Sequence, residues 1–533
     1  MAPLEFESSM EMTPAKQHGL TLGDRDVDCV FSFFYSYLPE PPVSTAVSLS
    51  CAPAPDDGVD RITILPDVLL HKIISLLPAK DGARTAVLSS HWRGLWRSVP
   101  PVLVDTHFLP GGDAETRPAS AGDASRAVTD AVSAALEAHP GPFPFVSLTC
   151  SFLDRADRRL LARWFQLLAT KGVEELVFVN RPLPVLTLPL PSALFSCVSL
   201  RRLYIGAWVF PETDTLPRGV AFPNLKELVL GSVVMQDTAI EFMLGACPVL
   251  ETLSVVGNAR ILHARLTSRS LRCAQFCLCA MLEEVAVVVA PSLERLFIWK
   301  SWGIMGTSVK IHHAPRLRML GYLEPEEHDL EIGSTITKAG GKVRPGTIVS
   351  SVHTLALTLN FRVHSGVEML PSFLRCFPNV ETLCIESDEE AREPTGNLGP
   401  KFWRKIGPIE CVQSHLKTIV LREYQGHPRE YDFLKFIAEH ARVLEKMVIV
   451  LKKGLSKTAL EEVIAKLMPL NSAMASREGK LLFPIHKWEG GTTWTLQAGI
   501  IEGSVFPIDD PFFCRRTEMC LPVSTSKVSL EGF

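Results

Sequence analysis

The chain has 533 residues, 47% of them hydrophobic, and a net charge of −4 from 54 Lys and Arg against 58 Asp and Glu. That length and apolar content suit several domains, or one long repeat array around a large core. The slight acidity argues against a general nucleic-acid binder, which needs a basic surface for the phosphate backbone.

Thirteen cysteines without a disulfide-framework spacing, and no secretory signal, point to reduced thiols in a soluble protein of the cytoplasm and/or nucleus. Residues 1–57 form an N-terminal extension with one aromatic run, residues 29–38. The run follows Asp24, Asp26 and Asp28 rather than basic residues and is too short to cross a bilayer, so neither a signal peptide nor a membrane anchor is expected. Val30, Phe31, Phe33, Phe34, Tyr37 and Leu38 fall at helical spacing, and packing against the folded body is the expected role, with a partner-binding stripe as the alternative.

Residues 58–104 encode two short amphipathic helices. Pro66 suits a first helical turn and Asp67 the positive helix start. Leu69, Leu70, Ile73, Ile74 and Leu77 follow, Pro78 closes the helix, and Asp81 is placed to cap a second helix through Ala83, Ala86, Val87, Leu88, Trp92 and Trp96. A segment of about forty residues rarely stabilises itself, so its apolar surface needs cover from the chain or a partner.

The run from Leu65 to Trp96 resembles the F-box of plant F-box proteins. It carries Leu-Pro-Asp, paired Leu/Ile residues, a second Leu-Pro, Arg84-Thr85, Val87-Leu88-Ser89, Trp92-Arg93 and Leu95-Trp96. Ser90-His91 stands where two arginines often precede the first tryptophan. The resemblance implies docking onto a Skp-family adaptor and, through it, a cullin. Leu65, Pro66, Leu70, Ile73, Leu77, Val87, Leu88, Trp92 and Trp96 are the implied anchors, some facing the adaptor and others holding the helices together.

Residues 105–407 open with a polar loop and a helix over Ala124–Ala138, then repeat themselves. Six segments align on Leu200, Leu225, Leu250, Leu271, Leu293 and Leu317, giving steps of 25, 25, 21, 22 and 24 residues. This period with an L-x-x-L-x-L pattern is that of a leucine-rich solenoid, whose units bury a shared core only by stacking. The expected fold is α/β: a short helical F-box followed by an irregular leucine-rich-repeat horseshoe. Helical returns are expected at Arg158–Thr170 and Asp237–Ala246. Strand alternation places Arg202, Tyr204, Glu227, Arg295, Phe297, Trp299 and Glu386 as target-binding candidates on the sheet face. Phe297 and Trp299 read equally well as cover for a neighbouring repeat.

Residues 408–456 resemble the FBD region that follows such repeats in many plant F-box proteins. Leu416, Ile419 and Leu421 form its first strand, Gly426 marks a loop, and Phe433, Leu434 and Ile437 a helix face leading through Ala441, Leu444 and Met447 into Val448–Leu451. Residues 457–533 complete a C-terminal cap and tail.

No catalytic, cofactor or metal signature emerges. Cys273, Cys277 and Cys279, even with His312 and His313, lack the paired spacing of structural zinc. Lys338–Gly346 lacks the phosphate-loop order and reads as an exposed loop. The acidic clusters Glu324–Glu327 and Asp388–Glu390 read as solvated charge. The resemblances together imply a non-catalytic substrate-recognition subunit of an SCF-type cullin ubiquitin ligase, whose repeats hold an unidentified target. The alternative is an F-box scaffold that does not direct ubiquitination.

Overall fold

The computed structural model describes residues 30–43, 62–108, 121–180, 188–301, 306–332, 335–337, 348–388, 402–452, 457–486 and 493–497, apart from 32 and 63. The glycine-containing loop predicted at 338–346 lies outside the described residues. The chain divides into two compact units, Met1–Ile261 and Leu262–Phe533.

Within the first unit, residues 62–108 hold three helices where the sequence predicts two: α1 (Asp67–Ser75), α2 (Ala79–Thr85) and α3 (Ser90–Ser98). Pro78, not Asp81, occupies the N-cap of α2. Asp81 sits inside the first turn and pairs with Arg84 at 3.0 Å. The predicted second helix breaks after Ala86 because the Ser89 hydroxyl accepts the Trp92 N–H and starts α3 afresh. Leu70, Ile74, Trp92, Leu95 and Val99 close a small core, with Leu65 and Trp96 packed at its edge. At the Ser90-His91 departure, His91 Nε2 contacts the Asp67 carboxylate at 3.1 Å, which ties α3 to α1.

A parallel sheet follows in the order β1 (Val102–Val104), β2 (Phe145–Leu148), β3 (Glu175–Val179), β4 (Arg202–Gly206), β5 (Glu227–Gly231) and β6 (Thr252–Val256). The returns include α4 (Ala121–Ala138), α5 (Arg158–Thr170) and α6 (Asp237–Ala246), the last two at the predicted bounds. Leu200, Leu225 and Leu250, the aligned leucines, are fully buried.

The three-helix segment is joined firmly to this sheet. The fully buried Asp105 carboxylate accepts the Thr149 and Cys150 N–H groups, each at 2.6 Å, so a buried charge is met by backbone donors. Trp96 packs edge-on to His139 with ring centroids 4.7 Å apart, and the His139 ring contacts the Trp96 carbonyl at 2.9 Å.

The second unit holds two sheets. One runs β8 (Cys273–Cys277), β10 (Arg295–Trp299), β12 (Met319–Leu323), β15 (Thr354–Leu359), β16 (Thr382–Ser387), β17 (Thr418–Tyr424), β18 (Lys446–Leu451), β19 (Lys480–His486) and β20 (Thr493–Gln497), with only the last pair antiparallel. The other runs β14 (Thr335–Thr337), β13 (His328–Ile332), β11 (Thr307–Ile311), β9 (Glu284–Val289) and β7 (His263–Thr267). This second sheet was not anticipated. Of its strands, β7, β9 and β11 are the return segments of the repeats whose steps shorten to 21–24 residues, where a strand fits in place of a helix, while β13 and β14 follow Leu317.

Beyond β15 the returns are helical again: α7 (His364–Leu374), α8 (Phe402–Lys405), α9 (Glu410–Ser414), α10 (Pro428–His440), α11 (Lys457–Leu467) and α12 (Pro469–Ala473). The FBD-like residues supply β17, α10 and β18, which extend the same sheet. At the start of α10 the His427 ring accepts the Arg429 N–H, and the buried Glu430 carboxylate accepts the His427 N–H at 2.8 Å. Glu430 also receives the Ser387 hydroxyl at 2.5 Å and the Gln425 N–H at 3.2 Å. Among the described residues, no helix is long and apolar enough to cross a membrane.

Candidate docking surfaces

The predicted F-box anchors separate into two groups. Leu70 and Trp92 are 0% and 5% exposed and belong to the F-box's own core, so they are withdrawn from any partner-facing set. Trp96 is also directed inward, against Gly82 and His139, and Leu65 packs on the same core. Leu77 is half-buried and Pro66 is exposed. Ile73, Val87 and Leu88 lie open, the last two at 84% and 67% exposure.

The open set is larger than predicted. On α1, Val68, Leu69, Ile73 and Leu76 share one helical side while Leu70 and Ile74 occupy the other. Ile62 and Ile64 add to it just before the helix. Val68, Leu69 and Leu76 were missed as partner-facing residues. The sequence signal was present: apolar residues surround α1 on both sides, more than a one-sided core can use.

On the first unit's repeat face, Arg202, Tyr204 and Glu227 are neighbours but already engaged. Arg202 pairs with Glu175, which holds its guanidinium pKa up. Tyr204 is buried, and burial first, then the Glu227 charge and hydrogen bond, push its phenol pKa up. Tyr204 is therefore corrected from a solvent-facing contact to a buried side chain.

In the second unit, Trp299 and Glu386 come together from 87 residues apart, the indole Nε1 donating to the carboxylate at 2.9 Å. Lys300 Nζ approaches the same carboxylate at 3.6 Å and lies 5.1 Å from the Trp299 ring centroid. Phe297, by contrast, is buried edge-on against Tyr322 at 5.6 Å. Of the two readings held open for it, cover for a neighbouring repeat is the one observed. Arg295 is half-buried at the start of the same strand.

Cys273, Cys277 and Cys279 are buried while His312 and His313 are exposed, so the five do not face one another as ligands. Among the described residues no group of three or more His, Cys, Asp or Glu side chains is placed to hold a metal. Burial pushes the Cys197, Cys247 and Cys411 thiols up to about 12, the direction of inert rather than nucleophilic cysteine. The acidic residues Glu324, Glu326, Glu327 and Asp388, read as separate solvated charge, line one shallow cavity with Thr358 and Asn360.

Three family models match the chain: an F-box domain over residues 62–103, the leucine-rich repeats of FBD-associated F-box protein At5g56370 over 161–385, and FBD over 405–449. Among similar curated proteins of Arabidopsis thaliana, putative FBD-associated F-box protein At5g56700 is 27% identical over 405 residues, covering 73% of this chain and 97% of its own length. F-box/FBD/LRR-repeat protein At2g04230 is 26% identical over 434 residues, 74% of this chain and 89% of its own. F-box/LRR-repeat protein At3g59200 reaches 35% identity over 201 residues, 36% of each chain.

Proposed function

We propose that this chain, an F-box/leucine-rich-repeat protein with a C-terminal FBD region, acts as the substrate-recognition adaptor of an SCF-type cullin ubiquitin ligase. The F-box binds a Skp-family adaptor, the repeats hold a target protein, and the chain breaks no bonds itself. Its contribution is proximity: a target held beside the ligase's catalytic partner meets it at a high effective concentration.

The observation that carries this reading is the division of apolar residues in the F-box. Its core is closed by Leu70, Ile74, Trp92, Leu95 and Val99, yet Val68, Leu69, Ile73, Leu76, Val87 and Leu88 remain outside it. Large aliphatic side chains left in water around a finished core are suited to a protein partner.

The test is co-purification of the full chain with a Skp-family adaptor and cullin, followed by target turnover with and without proteasome inhibition. Failure of the intact chain to bind the adaptor refutes the reading. Adaptor binding without any proteasome-dependent loss of a bound protein favours the scaffold alternative.

A further inference from the structure

One face of the first unit's sheet is sealed. Strand register sets Ser147, Val177, Tyr204, Val229 and Ser254 in a row across β2 to β6, and all five are buried. By alternation this row lies opposite the core leucines Leu176, Leu203, Leu228 and Leu253. An uncovered face gives alternating exposure, as β7 shows with exposed His263, Arg265 and Thr267 around buried Ala264 and Leu266. The β2–β6 row has no such alternation.

Residues 30–43 supply the cover. Val43 packs on Val102, Val104 and Phe145 of β1 and β2. The Phe34 ring, fully buried, fills the space where side chains at Gly206 and Gly231 would stand, and Val30 does the same at Gly257. Val102, Phe145 and Arg202 share one register line, and Gly206 pairs with Gly231, so these contacts fall on a single face. Gly257 has φ +64, which is reason enough for glycine there. Gly206 and Gly231 have no such backbone need. A Cβ at Gly206 would lie 2.6 Å from Phe34 Cε1, and one at Gly231 would overlap the ring. The close approach of the aromatic side chain is what Gly231 accommodates, and at Gly206 the ring is joined by Val179 Cγ1 at 2.9 Å.

The contacts of Val30, Phe34 and Val43 with the sheet are made by their side chains. No strand pairing among the described residues uses residues 30–43. The helical turn is closed on itself by Ser36, Tyr37 and Leu38 N–H groups donating to Phe33, Phe34 and Tyr35 carbonyls. Lifting the segment therefore breaks no sheet ladder.

We propose that residues 30–43 are an intramolecular ligand of this repeat face. The face takes the same chemistry from a target: an amphipathic helical segment with an aliphatic residue four positions before a phenylalanine, as Val30 stands before Phe34. The proposal rests on the reading that the repeats bind a target, and adds that the target competes with the chain's own N-terminal segment.

The probe is a fluorescent peptide of residues 26–43, titrated by anisotropy, without adaptor, into the full chain and into a full chain carrying Val30→Asp and Phe34→Asp. The peptide should bind the variant at least tenfold more tightly than the wild type, and a further Gly231→Val should abolish that binding. A folded variant that ignores the peptide overturns the proposal. So does a variant that loses cooperative unfolding, since the segment would then be part of the core. Hydrogen exchange on the unaltered chain is a second, independent measurement. The Tyr37 and Leu38 amides should open at least tenfold more often than those of Leu228 and Leu230, and equal protection overturns the proposal. Adaptor binding plays no part in either measurement, so the ligase reading and this one fail separately.

Discussion

Replacing Val87 and Leu88 together by alanine separates partner contact from fold within the F-box. Full burial of such side chains is worth roughly 1.5–3 kcal/mol each. Val87 and Leu88 leave 84% and 67% of their surface in water, so most of that value remains to be gained on docking. Allowing for the area alanine retains, the double substitution should weaken adaptor binding by roughly 2–3 kcal/mol, about 30- to 150-fold in Kd. Folding stability should change by less than about 0.5 kcal/mol, as for other exposed sites. Leu70→Ala is the converse case. It opens a cavity beside Ile74 and Trp92 and should cost about 2–5 kcal/mol of F-box stability. Calorimetric titration with a purified Skp-family adaptor and urea denaturation of the same samples measure both quantities. An unchanged Kd for the Val87/Leu88 variant, in a protein that does bind the adaptor, would refute the assignment of this surface.

Burial lowers the His328 pKa from 6.5 to about 4; its Nδ1 accepts the Glu324 N–H at 3.0 Å and its Nε2 faces the Ser301 carbonyl at 3.3 Å. Because the folded value is depressed, the stabilisation is full above pH 6.5 and drains away as pH falls through 4, about 3 kcal/mol in all. Denaturation midpoints at pH 7 and 4.5 should diverge more for the wild type than for His328→Gln, and parallel curves would contradict this. Glu430→Ala strands the Ser387, Gln425 and His427 donors in the interior and should cost about 2–4 kcal/mol in urea denaturation. A loss below about 0.5 kcal/mol would mean those donors find other acceptors. Glu386→Ala removes the acceptor of Trp299 and the counter-ion of Lys300, with an expected loss of about 1–2 kcal/mol and a shifted indole emission. An unaltered spectrum would show that the contact does not persist in solution.

What could be read from the sequence follows from periodicity. The repeats, the helical returns at Arg158–Thr170 and Asp237–Ala246, and the FBD-like strands are written as local patterns and are found where those patterns stand, except that Leu416, expected in the first FBD-like strand, precedes β17. The return strands β7, β9, β11 and β13 escaped because short alternating runs such as His263–Thr267 are weak beside the leucine pattern. For β7, β9 and β11 the shortened repeat step was the available clue. Side-chain exposure was harder still. Tyr204 and Phe297 obey strand alternation yet are buried, because alternation fixes a side chain's face and not what lies over it. The Trp299–Glu386 contact joins positions 87 residues apart, a distance at which local patterns carry no information.

The joint behind the F-box has a directional consequence. Asp105 binds the backbone at Thr149 and Cys150, Trp96 is wedged against His139, and Pro78 bridges to Val102. A partner docked on α1 and the turn at Val87 would thus be aimed along a fixed bearing relative to β1–β6, as by a bracket rather than a cord. Inserting residues at such a joint would swing the bearing before it lengthened the reach.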